Sequence, residues 1–285
     1  MNKILLTGST GFIGSELLKN LSQNNKVYVI LRNKSKSNLK NKNIIHIYYN
    51  SYKNLNNKIQ KLKVRTVIHC ATHYVKSHNL KDIEKLTHSN ILFGNIILEN
   101  LNVMGVKIFI NFSTVWENFD GKKENYYNLY SAYKASFGNI LNFYKKKFNK
   151  IKFFNLVISD TFGSNDKRKK IVNLMKINYK KNLITKIVSK KLYINLLNVT
   201  DIENAIRLIL KGRYKSGTYL LKNKKDFKIT DIIKSINKNF NRKIKIKWIS
   251  NKILKENIYK FKSLKNWKPE NSKIENIVKI ITGYI

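Results

Sequence analysis

A glycine-rich segment near the start of the chain has the spacing of a phosphate-binding loop. Gly8, Gly11 and Gly14 follow a short apolar run directly and precede an amphipathic stretch. Glycines at this spacing permit a tight turn, close approach of the backbone to a pyrophosphate, and close packing of helix on strand. The free N–H groups and the positive end of the helix dipole then favour an anion. The pattern predicts a dinucleotide site with contacts from Gly8, Thr10, Gly11, Phe12, Ile13 and Gly14.

The residues after the second apolar run indicate which dinucleotide is bound. An NAD site places an acidic residue there for the ribose 2′-hydroxyl, whereas an NADP site places an arginine nearby for the 2′-phosphate. Here the run ends at Arg32, with Lys34 and Lys36 close behind and no carboxylate in that segment. A guanidinium can bind a phosphate through two parallel hydrogen bonds. We therefore expect NADP(H) rather than NAD(H), with Arg32 as the contact.

A tyrosine and a lysine have the spacing of a proton-transfer pair. Tyr130 and Lys134 are four residues apart and would share one face of a helix, while Ser113 and Thr114 end a strand-like run upstream. Because a tyrosine titrates near pH ~10, acid–base work at neutral pH needs a neighbouring ammonium. The same ammonium can hold the nicotinamide ribose, and a hydroxyl of Thr114 or Ser113 can orient a substrate carbonyl. With 16 tyrosines and 51 lysines the spacing alone recurs by chance; its position after the phosphate loop and the strand carries the prediction.

The elements that must position these residues alternate along the first half of the chain. Short β-branched or aromatic runs separated by amphipathic stretches predict a doubly wound parallel sheet. We expect a Rossmann-like α/β fold, with residues 1–163 as an NADP-binding domain and 164–285 as a smaller α/β substrate-binding part, some of whose segments return to the first domain. The predicted strands are 3–7, 26–31, 44–48, 66–70, 107–112, 153–158, 217–221 and 243–248, and the predicted helices are 13–21, 91–101, 130–147, 171–179, 199–210, 229–236 and 274–281.

The net charge of +41 does not by itself indicate a polyanionic partner. Of the 57 basic residues only six are arginine, and 41 residues are asparagine. Lysine, asparagine and isoleucine have A/T-rich codons, so an A/T-rich genome explains the bias more simply than a nucleic-acid site does. The sequence therefore predicts no nucleic-acid partner.

Composition excludes further classes of protein. A single cysteine, Cys70, forbids an internal disulfide, and the chain contains neither a run of 18 apolar residues nor a signal-peptide pattern. We therefore expect a cytoplasmic protein with no membrane partner. The histidines at 69, 73, 78 and 88 straddle one strand and its loop with no cysteine or carboxylate to complete a zinc set, so no metal is expected.

Several segments, in order along almost the whole chain, resemble the extended short-chain dehydrogenase/reductases, the NAD(P)-dependent epimerase/dehydratase group that acts on sugar nucleotides. The resemblance implies a Rossmann-like domain and a C-terminal part that closes over a nucleotide-diphosphate sugar. It implies the catalytic triad Thr114, Tyr130 and Lys134, and it implies pairing of subunits into a homodimer. We further expect Cys70, Ala71, Tyr130 and Lys134 at the cofactor, and Thr72, Ser113 and Asp160 at the substrate. The matching segments are 7–14, 67–71, 89–94, 112–114, 128–134, 160–163, 198–202 and 267–269.

Within this family the residues after Thr114 favour a reductase. Dehydratases of the family follow the threonine with an Asp-Glu pair, but here Val115 and Trp116 follow, and Glu117 is displaced by one position. Many epimerases retain NAD and use an acidic residue after the second strand, which is missing. Segments 109–118 and 128–134 are most similar to the CDP-abequose synthase group, whose members reduce a 4-keto CDP-3,6-dideoxyhexose.

That similarity implies NADPH-dependent reduction of a 4-keto sugar nucleotide in bacterial deoxysugar and surface-polysaccharide biosynthesis. In this mechanism Tyr130 protonates the alkoxide and Thr114 steadies its oxygen. Two alternatives stay open: an NAD(P)-dependent epimerase or dehydratase, and a non-catalytic NADP-binding protein.

Three further features have weaker functional predictions. We expect Asn90 either to brace the cofactor site or to make an ordinary polar contact, and Asp201 to begin a helix. Residues 167–170 form a solvated basic run, or alternatively meet the substrate diphosphate.

Overall fold

Six apolar runs between residues 2 and 158, together with Gly217–Leu221, form one seven-stranded sheet. A computed structural model describes residues 2–32, 41–212 and 214–284. The strands lie in the order β11-β6-β5-β4-β1-β2-β3, and the pairs β1–β2, β1–β4, β2–β3 and β4–β5 are parallel. These strands are β1 (Asn2–Thr7), β2 (Asn25–Leu31), β3 (Ile44–Tyr48), β4 (Thr66–His69), β5 (Ile108–Thr114), β6 (Lys152–Ile158) and β11 (Gly217–Leu221).

Helices connect the strands of this sheet as the alternating pattern predicts. The predicted helix at 91–101 begins earlier than expected, with a π-helical turn over Thr87–Leu92, and ends at Glu99. The helices Tyr52–Gln60 and Leu80–Leu86 were not predicted, because each is too short for a helical period to be recognised in the sequence. The helices are α1 (Phe12–Asn24), α2 (Tyr52–Gln60), α3 (Leu80–Leu86), α4 (Phe93–Glu99) and α5 (Leu129–Lys147), with a 3₁₀ segment over Val115–Gly121.

The rest of the chain forms short strands and four helices among the residues that the structure describes. The predicted strand at 243–248 is shorter than expected and covers Ile246–Trp248. The helices are α6 (Ile171–Lys180), α7 (Val199–Leu210), α8 (Ile229–Asn239) and α9 (Ile274–Thr282), and the strands are β7 (Asp160–Phe162), β8 (Thr185–Ile187), β9 (Leu192–Ile194), β10 (Leu196–Asn198), β12 (Phe227–Lys228), β13 (Ile246–Trp248) and β14 (Leu254–Lys255).

The chain divides into two compact units, each with its own hydrophobic core. The first comprises the described residues of Met1–Val157, Gly212–Tyr219 and Tyr259–Lys262, and the second those of Ile158–Lys211, Leu220–Ile258 and Ser263–Ile285. Phe109, Phe137 and Phe153 lie in the core of the first unit, and Phe162 and Met175 in that of the second. Within the described ranges, no helix is both long and apolar enough to span a bilayer.

A buried carboxylate holds the end of the second unit together. Asp201 was expected to begin a helix, but Asn198 is the N-cap of α7 and accepts the Thr200 N–H at 3.0 Å. Asp201 lies in the first turn of α7, is fully buried, and accepts hydrogen bonds from the Asn271 backbone and side chain and from the Ser272 hydroxyl. The resemblance of segment 198–202 to the family is therefore explained by a structural role, in which Asp201 attaches the segment before α9 to α7.

Candidate active site

The loop between β1 and α1 packs against the end of β4, and only glycine fits where they meet. Gly8 has φ of +69°, and a Cβ atom there would lie 2.5 Å from the Ala71 nitrogen and 2.6 Å from the Cys70 carbonyl carbon. A side chain would force the loop away from the strand. This packing brings together three predicted cofactor contacts: Gly8, Cys70 and Ala71.

Close packing of α1 on the same loop requires the third glycine. A Cβ on Gly14 would lie 2.1 Å from the Gly8 carbonyl oxygen, which also accepts the Gly11 N–H at 3.0 Å. Gly11 is the N-cap of α1, without a side-chain cap, and it is exposed together with Thr10. A bare, exposed helix N-terminus behind a glycine loop suits a diphosphate, so these residues fit the predicted dinucleotide. The half-buried Phe12 and Ile13 form the first turn of the helix.

A buried histidine fixes the end of β4. Nδ1 of His69 lies 2.9 Å from the Thr7 hydroxyl, which accepts the Ala71 N–H at 3.2 Å. His69 is 2% exposed and packs among the rings of Phe93 and Phe137. Burial, aided by the charge of a nearby lysine, lowers the pKa of His69 to about 3, so the ring is neutral. His69 therefore supports the strand end; among the described residues, no cluster of His, Cys, Asp or Glu could hold a metal ion.

Asn90 holds the loop that follows β4. Its Oδ1 accepts the His73 N–H at 2.6 Å and the Thr72 hydroxyl at 3.1 Å, and its Nδ2 donates to the His73 carbonyl at 3.0 Å. Asn90 is 3% exposed and lies on the π-helical turn before α4. Asn90 therefore holds in place the loop that carries Thr72, the predicted substrate residue. Thr72 is exposed.

The end of β5 turns sharply at the predicted hydroxyls. The Thr114 hydroxyl caps the 3₁₀ segment by accepting the Trp116 N–H at 3.3 Å. The turn brings the Glu117 carboxylate back to the strand, where it accepts hydrogen bonds from the Ser113 hydroxyl and the Thr114 N–H. Burial raises the pKa of Glu117, although the charge of Lys134 opposes that rise.

Helix α5 begins at the predicted proton-transfer pair. Asn128 and Ser131 form a reciprocal capping box, which fixes the first turn and with it the half-buried Tyr130. Lys134 lies one turn further on and is 5% exposed. Burial lowers the pKa of Lys134, and the nearby Glu117 carboxylate opposes that fall.

An aromatic surface extends from Tyr130. The Tyr74 ring meets Tyr130 edge-on with centroids 5.1 Å apart, and the Trp116 centroid lies 6.1 Å from Tyr74 and 5.1 Å from Tyr127. Tyr74 and Trp116 are half-buried, and Tyr127 is exposed. These rings come from the loop after β4 and from the β5–α5 connection, a pairing that the sequence pattern did not suggest.

Arg32 lies at the same edge of the sheet, because β2 runs parallel to β1. It is exposed directly after β2. Burial raises the pKa of Tyr49 to about 12, and the Arg32 charge opposes that rise, so the guanidinium lies close to this tyrosine. Lys34 and Lys36, the predicted helpers of Arg32, lie outside the described residues.

Asp160 belongs to the second unit and is paired there with a lysine. Its carboxylate lies 2.7 Å from Nζ of Lys170. Arg168 in the same segment binds both carboxylate oxygens of Asp166 at 2.8 Å and the Thr161 carbonyl at 3.0 Å. The prediction of a solvated basic run is therefore wrong for Arg168 and Lys170, because both pair with aspartates.

Comparisons with known proteins identify a matching family model and two similar enzymes. The model of the NAD dependent epimerase/dehydratase family matches residues 4–219. CDP-abequose synthase of Yersinia pseudotuberculosis is 28% identical over 240 residues, which cover 82% of this chain and 83% of that protein. CDP-abequose synthase of Salmonella muenchen is 25% identical over 223 residues, covering 76% and 73%.

A solved structure has the same fold over the whole length. UDP-glucose 4-epimerase from Brucella ovis, in complex with NAD, matches with a TM-score of 0.82 at 16% identity, covering 100% of this chain and 98% of that one. This likeness confirms the predicted Rossmann-like α/β fold class.

Proposed function

Because the chain belongs to the NAD dependent epimerase/dehydratase family, as the sequence motifs predict, we propose a specific activity for this NAD(P)-dependent enzyme. It reduces the 4-keto group of a nucleotide-diphosphate sugar, with NADPH as the electron donor. The CDP-abequose synthases that resemble it over most of their length support a CDP-3,6-dideoxyhexose as the substrate. Bacterial deoxysugar and surface-polysaccharide synthesis is the corresponding setting.

The orientation of Glu117 carries the choice of reductase over dehydratase. Expelling water from a sugar needs an acid and a base that reach the substrate. The acidic residue that follows Thr114 is bonded to the Ser113 hydroxyl and the Thr114 N–H, and it faces Lys134. Since its carboxylate points back to the strand end, it does not serve as the base that a dehydratase requires.

The surroundings of the second strand support NADPH as the cofactor. The sequence contains no Asp or Glu between Glu16 and Asp82, a span that covers α1 to the loop before α3. No carboxylate is therefore available from β2, β3 or α2 to bind a ribose 2′-hydroxyl. Arg32 offers a cation at the end of β2, where a 2′-phosphate would lie.

The residues of the first unit then have distinct roles. When bound, the reduced nicotinamide supplies the hydride for the ketone carbon. Tyr130 donates its phenolic proton to the oxygen that becomes an alkoxide, and Lys134 stabilises the phenolate left behind. Thr114 hydrogen-bonds the same oxygen, and Gly8, Thr10, Gly11 and the first turn of α1 hold the diphosphate.

The aromatic surface of Tyr74, Trp116 and Tyr127 supports a sugar with few hydroxyl groups. Aromatic faces bind apolar C–H groups and offer few hydrogen-bond partners. A dideoxyhexose presents a methyl group and a methylene where a common hexose has hydroxyls. We propose Thr72, Ser113 and Asp160 as the polar contacts of the substrate, the second unit as the part that binds most of it, and a homodimer as the assembly.

The test is to incubate the purified protein with NADPH and a panel of 4-keto nucleotide sugars and to follow nicotinamide absorbance. We expect rapid oxidation with CDP-4-keto-3,6-dideoxyglucose and slower oxidation with 6-hydroxylated or dTDP-linked ketosugars. Turnover of a sugar nucleotide that has a hydroxyl group in place of the ketone, without cofactor consumption, would instead identify an epimerase. Loss of water from such a sugar would identify a dehydratase, and tight NADPH binding without turnover of any sugar would identify a non-catalytic protein.

A further inference from the structure

A polar cluster around the half-buried Glu117 joins the end of β5 to the buried Lys134. The Ser113 hydroxyl donates to the Glu117 carboxylate, whose other neighbours are the Thr114 N–H and the Lys134 ammonium. Helix α5 packs against the 3₁₀ segment that carries Glu117, and the Glu117 carboxylate lies within electrostatic range of the Lys134 ammonium. Neither the phosphate loop nor the proposed proton donor uses the carboxylate, so its presence needs a separate explanation.

Burial disfavours the positive charge that Lys134 needs for its proposed role. A buried ammonium loses its hydration, so burial favours the neutral amine. In fully buried lysines this lowers the side-chain pKa by up to several units. Lys134 is 5% exposed. A neutral amine would neither stabilise a tyrosinate nor attract an anionic dinucleotide.

The other titratable groups that face Lys134 do not supply a compensating charge. Cys70 and His69 approach from the end of β4. Burial raises the pKa of the Cys70 thiol far above its usual range, so the thiol stays protonated. His69 is neutral, as described above. Tyr130, one turn earlier on α5, is the proposed proton donor and is protonated before the reaction, so among these groups Glu117 supplies the negative charge.

We infer that Glu117 is a positioning residue that keeps Lys134 in its ammonium form, and that Ser113 and the Thr114 N–H hold the carboxylate in place for this role. The interaction is reciprocal, since the ammonium also favours the ionised form of Glu117. This role deepens the proposed function, because it concerns the proton balance of the same site. It also predicts effects on dinucleotide binding that do not depend on any sugar.

The test compares pH profiles of wild type, Glu117→Gln, Lys134→Arg and the double variant. Glutamine keeps the shape and the Ser113 contact but removes the charge, so the pKa of Lys134 should fall further. The alkaline limb of kcat/KM should move to lower pH by about one unit or more. In the Lys134→Arg background the same change should leave the limb in place, because arginine stays protonated throughout.

NADPH affinity, measured by nicotinamide fluorescence without sugar, separates this inference from the proposed function. Glu117→Gln should bind NADPH normally near pH 6 and at least threefold more weakly near pH 8.5, while the exposed control Glu124→Gln should match wild type at both. Unchanged NADPH affinity at both pH values, or a uniform loss of activity with an unmoved limb, would overturn the inference. Wild-type protein that binds NADPH but turns over no ketosugar would refute only the reductase.

Discussion

Burial and neighbouring charges shift the pKa values of individual residues at this site. Tyr130 lies in the first turn of a helix fixed by a capping box, one turn before the buried Lys134. The sequence predicts both residues, since their spacing and position identify them. It does not predict the neutral His69 or the inward-facing Glu117, because their roles depend on burial that only the fold creates.

Tyr130→Phe tests the proposed proton donor. Removing the phenolic hydroxyl should lower kcat by roughly 10²- to 10⁴-fold, whereas NADPH affinity should change less than threefold because Tyr130 protonates the sugar oxygen. Steady-state kinetics and fluorescence titration measure the two quantities. The exposed Tyr126→Phe is the control and should keep wild-type kcat; an equal kcat in both variants would refute the role of Tyr130.

Arg32→Ala tests the cofactor preference. Loss of the guanidinium should weaken NADPH binding by about tenfold or more, since a charge-assisted phosphate contact contributes at least ~1.4 kcal/mol. NADH binding should be nearly unchanged, because that cofactor has no 2′-phosphate. Arg65→Ala, an exposed arginine just before β4, should affect neither dinucleotide. Parallel losses of NADH and NADPH affinity in Arg32→Ala would contradict the assignment.

His69 should make the fold sensitive to acid. Its pKa is about 3 in the folded state and ~6.5 when unfolded, so the unfolded chain binds the extra proton. The contribution to stability is therefore complete above pH ~6.5 and falls by about 1.4 kcal/mol per pH unit below it, down to about pH 3. Urea unfolding at pH 7 and pH 5 should show a smaller loss for His69→Asn than for wild type or the exposed control His78→Asn; equal losses would exclude this role.

At the scale of elements, the site depends on close contacts between a helix, a loop and two strand ends. The glycine spacing predicts the β1–α1 turn and its packing, and the alternation of runs predicts the strands around it. The two short helices α2 and α3 were not predicted, because nine and seven residues contain too few turns for a helical period to be recognised. The loop held by Asn90 and the aromatic surface escaped prediction because each joins segments distant in sequence.

Two glycine variants, Gly14→Ala and Gly138→Ala, compare a glycine that close packing requires with one that has space for a side chain. Gly14→Ala would place its Cβ 2.1 Å from the Gly8 carbonyl oxygen, so we expect a loss of about 1–3 kcal/mol in unfolding free energy and weaker NADPH binding. Gly138→Ala, in α5, would meet nothing closer than Asn155 Nδ2 at 3.9 Å and should stabilise the protein by about 0.5–1 kcal/mol. Denaturant unfolding measures both; a Gly14→Ala variant as stable as Gly138→Ala would contradict the packing.

At the scale of the whole molecule, the charge of +41 acts as a repulsive background. The proposed chemistry uses few of these charges, chiefly Arg32 and Lys134, while Arg168 and Lys170 pair with aspartates. Composition alone could not separate these from the surface lysines. Repulsion among like charges destabilises the compact state, and salt screens it.

Stability should therefore rise with ionic strength. Raising NaCl from 10 mM to 200 mM shortens the Debye length from about 30 Å to below 10 Å, and we expect Tm to increase by several degrees over that interval. Further salt should add little, since the screening is then nearly complete. A thermal melt at each concentration measures this, and a Tm that is constant or falls between 10 and 200 mM would contradict the background role of the charge.

Deuterium labelling tests whether the enzyme transfers hydride from NADPH to the keto carbon of a sugar nucleotide. The experiment uses NADPH deuterated at the transferred position with CDP-4-keto-3,6-dideoxyglucose, followed by mass spectrometry and NMR of the product. We expect one deuterium at C4 of the reduced sugar, one NADP⁺ formed per product, and loss of the reaction in Tyr130→Phe. Turnover that leaves the deuterium in NADPH, or a product without the label at C4, would contradict it.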